Sequence, residues 1–390
     1  MKLLMYGAGS VGRGFVGPLF AKAGYEIAFA DVDRRIVEAL NRRRGYSYTV
    51  AAEPPYDVPV TGVRGVDGAD KRAVLREIAS CDLMAVSIGA AALQKAAPLI
   101  ALGFSLRMKE NGRPLNLLIC ENLKDSSRLL RGWIESELPE GDRPLSRERL
   151  GLVGTAIGRM IPPAASGAED PLRVTAEEYG FLPADKDAFV GEPPEAEGLV
   201  LCAPFSFYEE RKLYLHNMGH AVSAFLGMLY GYKTIPEAVA DPVVRLLVQS
   251  AMTESAAALS AKFSVPFAGV FDHAEDLLLR FGNAALGDTC ERVGRDPLRK
   301  LQAGDRLAGA LELCRGGGVH PIYIALGYAA ALHQVTGDAG RAAEIAATAG
   351  GLAEDHAELV MKLFAALAQP PGGLLRAAER LKREMRGNIV

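Results

Sequence analysis

The stretch that decides the fold is KLLMYGAGSVGRGFVG, residues 2–17. Its first five residues predict a short buried strand, and a helical pattern begins directly after the glycines. Between them, Gly7, Gly9 and Gly12 have the spacing G-x-G-x-x-G in the strand-to-helix context that the motif requires. Such glycines allow a tight turn and let backbone N–H groups approach a pyrophosphate at the positive end of the helix dipole. The stretch therefore predicts a dinucleotide-binding βαβ unit.

The next strand, EIAFAD, ends in Asp31, at the distance of about 20 residues from the glycines where an acidic side chain contacts the adenosine ribose. A carboxylate at this position would repel the 2′-phosphate of NADP, so NAD is the predicted cofactor. Arg34 and Arg35 keep NADP open as the alternative, because an arginine just past this strand can hold a 2′-phosphate.

Apolar strand patterns at 82–89, 115–120 and 150–158 alternate with helical patterns. This alternation predicts an α/β fold with a Rossmann-type, doubly wound parallel sheet. Ligands bind at the carboxyl ends of such strands, so Ser87 and Asn122 should border the cofactor, although Asn122 is equally explained as a helix-capping turn residue. The predicted cofactor-binding residues are Gly7, Gly9, Ser10, Val11, Gly12, Asp31, Ser87 and Asn122.

From about residue 205 the pattern changes to long amphipathic helices. The sequence therefore predicts two domains: a Rossmann-type NAD-binding domain with extended-sheet additions over 1–204, and an all-α substrate domain over 205–390. The segment 169–189 reads as extended pieces that continue the first sheet. We expect a cleft between the two domains, with cofactor on one wall and substrate on the other.

Composition excludes several classes of partner and site. The formal net charge of -3 gives no basic field for nucleic acid or an anionic membrane, so neither is expected as a partner. The five cysteines form no C-x-x-C pair or Cys/His cluster, so we expect reduced, mostly buried thiols and no metal site. With no export signal and no run of about 18 apolar residues, a cytoplasmic location is expected.

The segment ERKLYLHNMGHAVSAFLG, residues 210–227, carries a polar arc on an otherwise apolar helix. On a wheel of about 100° per residue, Lys212, His216, Asn217 and His220 lie on one side. Hydride transfer between NAD and an alcohol needs a base for the hydroxyl proton and donors that stabilise the developing alkoxide. Lys212 is the predicted base, and Asn217 and His220 the predicted oxygen-binding groups. His216 competes with His220, and each residue taken singly is more often a solvated or core group.

The pattern K-x4-N-x2-H formed by Lys212, Asn217 and His220 resembles the catalytic signature of the polyol-specific long-chain dehydrogenases, the mannitol dehydrogenase family. CENL at 120–123 and GDTCERVGRDPLRKL at 287–301 extend the resemblance over most of the chain. The short chain is similar to the phosphate-specific branch of that family. The resemblance implies metal-independent interconversion of D-mannitol 1-phosphate and D-fructose 6-phosphate with NAD(H), with the lysine as general acid/base.

A basic cluster follows in the same region, formed by Arg292, Arg295, Arg299, Lys300 and Arg306. The sequence predicts a helix capped by Asp296, which would place Arg299 and Lys300 in a first turn, where cations are disfavoured unless an anion is present. A substrate phosphate could be that anion, and pairing with neighbouring acids explains the cluster equally well. By family position, the resemblance implies that Arg292, and then Arg295, contacts the substrate.

Two departures from the family pattern leave the polyol open. The usual Asp-Arg pair is Gly158-Arg159 here, and an expected tryptophan is replaced near Phe181 or Leu182, whereas Asp185 keeps its place as a substrate residue. Both changes are expected near the substrate. The alternative substrates are an unphosphorylated polyol or a hexuronate, as in mannitol 2-dehydrogenases or fructuronate reductases. A protein that binds NAD(H) without turnover is the alternative of another class, and the presence of the lysine and the asparagine argues against it.

Overall fold

The protein is described here by a computed structural model of residues 1–162 and 169–386. The chain forms two compact units, Met1–Glu209 and Glu210–Val390. In the described part of the chain, none of the helices combines the length and the apolar character needed to cross a membrane.

The first unit combines strands and helices. Its strands are β1 Lys2–Tyr6, β2 Glu26–Asp31, β3 Gly45–Val50, β4 Tyr56–Thr61, β5 Val63–Asp67, β6 Leu83–Val86, β7 Leu115–Ile119, β8 Leu150–Gly154, β9 Thr175–Ala176, β10 Leu182–Asp185 and β11 Leu199–Cys202. Its helices are α1 Gly17–Lys22, α2 Arg34–Arg43, α3 Lys71–Ser80, α4 Ala90–Glu110, α5 Ser126–Glu137 and α6 Arg143–Arg149, and α7, Phe205–Glu210, leads into the second unit.

Six parallel strands form the main sheet in the order β5-β2-β1-β6-β7-β8. This is the doubly wound order in which the direction of winding reverses between β1 and β6, so the predicted Rossmann-type fold is confirmed. Successive residues of β1 serve different cores, because Leu3 and Met5 pack on one face of the sheet and Leu4 on the other. Burial of both faces explains why these strands are almost continuously apolar.

The extended pieces at 169–189 do not continue the main sheet, and that prediction was wrong. β9 pairs with β3 in a small sheet of order β4-β3-β9, and β10 pairs with β11. β10 touches the end of β8 through an isolated antiparallel bridge between Thr155 and Ala184. Pro183, within β10, has no N–H to donate, which limits the length of any ladder on that side.

The second unit is helical, as predicted. Its helices are α8 Asn217–Leu229, α9 Ile235–Ala240, α10 Pro242–Phe263, α11 Phe267–Phe281, α12 Cys290–Gly294, α13 Pro297–Lys300, α14 Ala308–Gly316, α15 Ile322–Val335, α16 Ala339–Thr348, α17 Glu354–Ala366 and α18 Pro371–Arg386. The apolar helices α8, α10 and α15 pack on one another and supply much of its core.

The region around α13 differs from the sequence-based prediction. α13 has only four residues, and the chain does not become helical again until Ala308. Asp296 precedes α13 with a left-handed backbone (φ 55°), and its side chain makes no capping hydrogen bond. The prediction that Asp296 caps a long helix was therefore wrong, and the dipole of such a helix gives no reason for an anion beside Arg299 and Lys300.

Candidate functional site

The glycine loop brings three backbone segments closer together than any side chain would allow. Gly7 has a φ of 108°, and a Cβ there would lie 2.0 Å from the Ser87 carbonyl oxygen. A Cβ on Gly12 would lie 2.3 Å from the Gly7 carbonyl oxygen. Around Gly9, in contrast, no atom lies within 4 Å of the Cβ position. The loop is therefore packed on its inner side and open at Gly9, as a surface for a backbone-bound ligand requires.

The helix after the loop begins with a π-helical turn, Gly12–Val16. Two of its carbonyls accept hydrogen bonds from side chains outside the helix. The Tyr46 hydroxyl donates to the Arg13 carbonyl at 2.8 Å, and Arg159 Nη1 donates to the Gly14 carbonyl at 3.0 Å. These two donors hold the wide turn in place directly after the predicted pyrophosphate loop.

Arg159 belongs to the framework of the first unit. It is buried, its Nε donates to the Glu177 carbonyl at 2.6 Å, and its guanidinium lies over the rings of Phe15 and Tyr48. Its neighbour Gly158 packs close to an aromatic ring, since a Cβ there would lie 3.2 Å from Tyr179. The expectation that the change at Gly158 lies near the substrate stays a prediction.

The Asp31 carboxylate faces the glycine loop. Its Oδ2 accepts from the Ala8 N–H at 2.7 Å, and its Oδ1 accepts from the Asp33 N–H at 2.9 Å. The loop residues Ser10 and Val11 are half-buried at the start of the helix. The acidic side chain is thus fixed beside the loop, where the sequence predicts the adenosine ribose.

Arg34 and Arg35, which kept NADP as the alternative cofactor, each lie close to an acidic side chain. Arg35 pairs with Asp33 at 2.8 Å, and Arg34 Nε lies 3.7 Å from Asp67. Both arginines are strongly exposed, so these pairs are weak. The arrangement nevertheless keeps negative charge on both sides of the arginines, which disfavours a 2′-phosphate.

The carboxyl ends of β6 and β7 meet at the point where the sheet reverses its winding. Ser87 follows β6 directly, and the Glu121 carboxylate accepts from the N–H groups of Ile88 and Gly89 at 2.6 and 2.7 Å. Glu121 thereby satisfies N–H groups at the start of α4. Asn122, the next residue, is exposed. Ser87 and Asn122 thus lie where such folds bind ligands, and their contacts with cofactor stay a prediction.

Asp185 ends β10, one residue past the bridge that joins Ala184 to Thr155 at the end of β8. Its carboxylate accepts from the Asp187 N–H at 3.1 Å, and burial raises the pKa of this carboxyl group above its ordinary value. Asp185 is therefore near the carboxyl end of the sheet, with a local capping role as well as the predicted substrate role.

Of the two positions proposed for the missing tryptophan, only one presents a side chain to solvent. Leu182 is fully buried, whereas Phe181 is 56% exposed and packs edge-on against Tyr179. An aromatic contact with substrate at this position would therefore come from Phe181.

The predicted catalytic segment of the second unit also contains a π-helical turn, Arg211–His216. The Asn217 N–H donates to the Lys212 carbonyl, five residues earlier. The wheel of about 100° per residue separates these two residues by about 140°, and it does not apply to this segment. In a π turn, residues five apart follow each other along one face. The π turn thus places Lys212 and Asn217 nearer to the same face of the helix than the helical wheel predicts.

The two histidines of the arc occupy different environments. His216 is buried, and burial, followed by the charge of Arg280, holds the pKa of its ring well below the ordinary value, so the ring is neutral. The His220 ring stacks on Phe281, with centroids 4.8 Å apart and planes at 10°. His220 keeps 14% of its side chain exposed. The greater burial of His216 favours a packing role for it and leaves His220 as the candidate for substrate.

Asp288 joins His220 to Arg292. Its Oδ2 lies 3.0 Å from His220 Nε2, without the in-line geometry of a full hydrogen bond, and its Oδ1 accepts from Arg292 Nε at 2.7 Å. Burial acts to raise the pKa of Asp288, but His220 and Arg292 outweigh it, so this pKa is below its ordinary value. Sequence reasoning gave Asp288 no role at the site, although it lies in the block 287–301 that carries the family resemblance.

The other basic residues of that block separate into exposed and buried groups. Arg295 is 78% exposed, 3.8 Å from Asp296, whereas Lys300 is only 4% exposed. Burial, followed by the charge of Arg306 and Arg299, lowers the pKa of Lys300 to about 8. Sequence reasoning placed Lys300 on a helix surface and so missed its burial.

Asp305 lies close to two of the basic side chains around Lys300. Asp305 lies 2.9 Å from Arg306 and 3.6 Å from Arg299. In the part of the chain that the structure describes, Lys300 itself forms no ion pair. This small region therefore carries more positive than negative charge.

Two family models match the chain. The mannitol dehydrogenase Rossmann domain matches residues 1–198, and the mannitol dehydrogenase C-terminal domain matches residues 205–365. Among solved structures, the ternary complex of Pseudomonas fluorescens mannitol 2-dehydrogenase with NAD and D-mannitol is 14% identical, with a TM-score of 0.74 over 98% of this chain and 94% of that one. A D-sorbitol dehydrogenase in substrate-free form is 17% identical, with a TM-score of 0.75 over 96% and 94%. At these identities the structural likeness shows the fold.

Proposed function

Because the chain belongs to the mannitol dehydrogenase family, we propose that it is an NAD-dependent polyol dehydrogenase that interconverts D-mannitol 1-phosphate and D-fructose 6-phosphate. The observation that carries the chemistry is the π turn that aligns Lys212 with Asn217. Family membership supports the polyol dehydrogenase class. The phosphorylated substrate rests on the charges around Lys300.

The first unit supplies the cofactor platform. The open side of the loop at Gly9 leaves room for a pyrophosphate against backbone N–H groups, and Asp31 is placed for the adenosine ribose. The residues present thus fit NAD. Bound NAD supplies the hydride acceptor for alcohol oxidation and, as NADH, the hydride donor for ketone reduction.

The second unit supplies the proton and the oxygen-binding groups. In oxidation, neutral Lys212 takes the proton of the reacting hydroxyl, and in reduction its ammonium returns one. Asn217 donates its amide N–H to the same oxygen, which stabilises the developing negative charge. His220 holds this oxygen or a neighbouring hydroxyl, with its ring oriented by Asp288 and Phe281.

The phosphate end of the substrate is assigned to the basic residues around Lys300. Lys300 is buried and has no ion pair among the residues that the structure describes, and the two neighbouring arginines share Asp305, so this region is short of negative charge. A phosphate dianion would supply that charge through charge-assisted hydrogen bonds. The sequence-based assignment of Arg292 and Arg295 to the substrate is kept as a proposal, with Arg292 acting from its pair with Asp288.

The alternative substrate is an unphosphorylated polyol or a hexuronate. The observation that favours it is the pairing of Arg292 with Asp288, which already neutralises the arginine ranked first for phosphate contact. In that case, Arg292 and Asp288 would together orient His220 and a sugar hydroxyl.

The test compares reduction of fructose 6-phosphate and fructose with NADH, and repeats the faster reaction with NADPH. We expect kcat/KM to be roughly 100-fold or more higher for the phosphorylated sugar, since a charged anchor stabilises bound ligand by several kcal/mol. Lys300→Met should remove most of this preference, whereas the exposed Arg295→Gln should change it less. Equal kcat/KM for the two sugars would select the unphosphorylated alternative, and faster turnover with NADPH would overturn the cofactor assignment.

A further inference from the structure

The π turn that carries Lys212 is held by a group that the chemistry above does not use. A buried hydroxyl on a neighbouring helix can fix such a turn by donating to one of its backbone carbonyls. Within this turn, the Tyr214 carbonyl accepts from the Ser255 hydroxyl at 2.7 Å. Ser255 lies on α10 and is 0% exposed, so no water competes for the bond.

Tyr214 is also fixed through its side chain. Its ring packs so closely against α14 that a Cβ on Gly309 would lie 2.3 Å from it. Its hydroxyl donates to the Gly304 carbonyl at 3.3 Å. Tyr214 is therefore held at both its backbone and its ring, two residues after Lys212.

We infer that Ser255 is a positioning residue, which keeps Lys212 and Asn217 aligned by fixing the π turn at Tyr214. Without the hydroxyl donor, the turn loses its bond to α10, and the segment can return to ordinary α-helical bonding, which is far commoner than a π turn. That change would rotate Lys212 away from Asn217. The inference rests on the proposed function for its effect on turnover, but the effect on the helix is independent of it.

The chain offers a matched control in Ser223. It is also 0% exposed and helical, and its hydroxyl donates to the Gly219 carbonyl at 2.9 Å, within its own helix. Removing that hydroxyl leaves Gly219 within a regular α-helix. Ser255→Ala and Ser223→Ala therefore each remove one buried hydroxyl group, but only the Ser255 hydroxyl bonds to the π turn.

The first measurement is steady-state kinetics of reduction with NADH. We expect Ser255→Ala to lower kcat roughly tenfold or more, as about 1.4 kcal/mol of lost alignment would give, with the KM for NADH unchanged. Ser223→Ala should keep kcat within about twofold, and Ser255→Cys, a weaker donor, should fall between them. Equal kcat in Ser255→Ala and Ser223→Ala would overturn the inference.

The second measurement is hydrogen exchange of the wild-type protein and the two alanine variants, followed by mass spectrometry of peptides covering residues 211–219. Faster exchange there in Ser255→Ala, but not in Ser223→Ala, would support the anchor. Unchanged exchange would overturn it. Hydrogen exchange needs no substrate. An inactive wild-type protein would therefore overturn the proposed function, and the exchange rates would still decide whether Ser255 anchors the π turn. If Ser255→Ala does not fold, Gly309→Ala, which displaces the Tyr214 ring, should give the same exchange and kinetic changes.

Discussion

The two helical segments that carry candidate site residues each contain a π turn, but the turns are built differently. Gly12–Val16 follows the cofactor loop, and Arg211–His216 carries Lys212. In each turn, backbone carbonyls accept from side chains elsewhere in the same unit. The first uses Tyr46 and the cation Arg159, and the second uses the neutral hydroxyl of Ser255.

The difference follows from what each turn presents. The first turn is crowded by backbone, so that even a Cβ would not fit at Gly12, and it is predicted to offer N–H groups to a ligand. The second turn has no glycine and offers side chains, beginning with Lys212. A hydroxyl donor satisfies its carbonyl without placing a further charge beside the lysine. A π turn can thus belong to a site built from backbone N–H groups or to a site built from side chains, depending on the residues that form the turn.

The largest expected effect concerns Arg211–His216, the side-chain turn, in contrast to Gly12–Val16, the backbone turn. Lys212→Ala should lower kcat by roughly 10²–10⁴-fold, the usual contribution of general acid/base catalysis, while NADH binding is kept. Lys233→Ala, at an exposed position of the same unit, is the control. Steady-state kinetics and NADH fluorescence titration measure the two quantities. Near-normal kcat in Lys212→Ala would remove the assignment.

The second effect tests whether the first turn works through its backbone. Gly9→Ala adds a Cβ where no protein atom lies within 4 Å, so folding should be unaffected, but the methyl group occupies space predicted for the pyrophosphate. We expect the Kd for NADH to rise roughly tenfold or more, since close backbone approach is lost. Gly132→Ala, equally free of neighbours, should leave NADH binding unchanged. Unaltered affinity in Gly9→Ala would place the cofactor elsewhere.

A smaller effect is expected from the donor that holds the first turn. Arg159→Lys cannot reach both the Gly14 and Glu177 carbonyls, so NADH affinity should fall several-fold, by about 1 kcal/mol for one lost hydrogen bond. The KM for the sugar should not change, because Arg159 lies in the framework. Exposed Arg173→Lys is the control. A raised KM for the sugar with normal NADH affinity would show that Arg159 acts on the substrate instead.

The fold of the predicted cofactor platform could be derived from the sequence, because its signal is local. Glycines at fixed spacing have a direct steric cause, as the contact between Gly7 and Ser87 shows, and an acidic residue ends the next strand at Asp31. The parallel, doubly wound sheet followed from the alternation of its strands with helices. The framework role of Arg159 could not be predicted, because its partners, the Gly14 and Glu177 carbonyls, are distant in sequence.

The candidate catalytic helix was predicted in composition but not in geometry. A wheel assumes one angle per residue, and nothing in RKLYLH marks a π turn, whose contacts with Ser255 and Gly309 come from other helices. Asp288 and the burial of Lys300 were missed for the same reason. Their environment is set by tertiary packing, which outweighs the local pattern.

The helix that holds the second turn is itself fixed by a buried carboxyl group next to Ser255. The two Glu254 oxygens accept from the N–H groups of Tyr323 and Ile324 at 3.0 Å, at the start of α15. Burial raises the pKa of Glu254 to about 8, although these N–H donors act to lower it. The helix that holds the side-chain turn thus carries a titratable carboxyl group directly next to Ser255.

The smallest expected effect is a pH dependence of stability that arises at Glu254. An unfolded glutamate has a pKa of about 4.3, so between this value and about 8 the folded protein holds the extra proton. Stability should therefore fall as pH rises from about 5 to about 8. Thermal unfolding of the wild-type protein should shift down by a few degrees more than that of Glu254→Gln, which cannot titrate. Exposed Glu358→Gln should follow the wild type. Parallel curves for wild type and Glu254→Gln would show that the carboxylate is already ionised at pH 5, with the two N–H donors outweighing burial, and would make this support of the second turn independent of pH over this range.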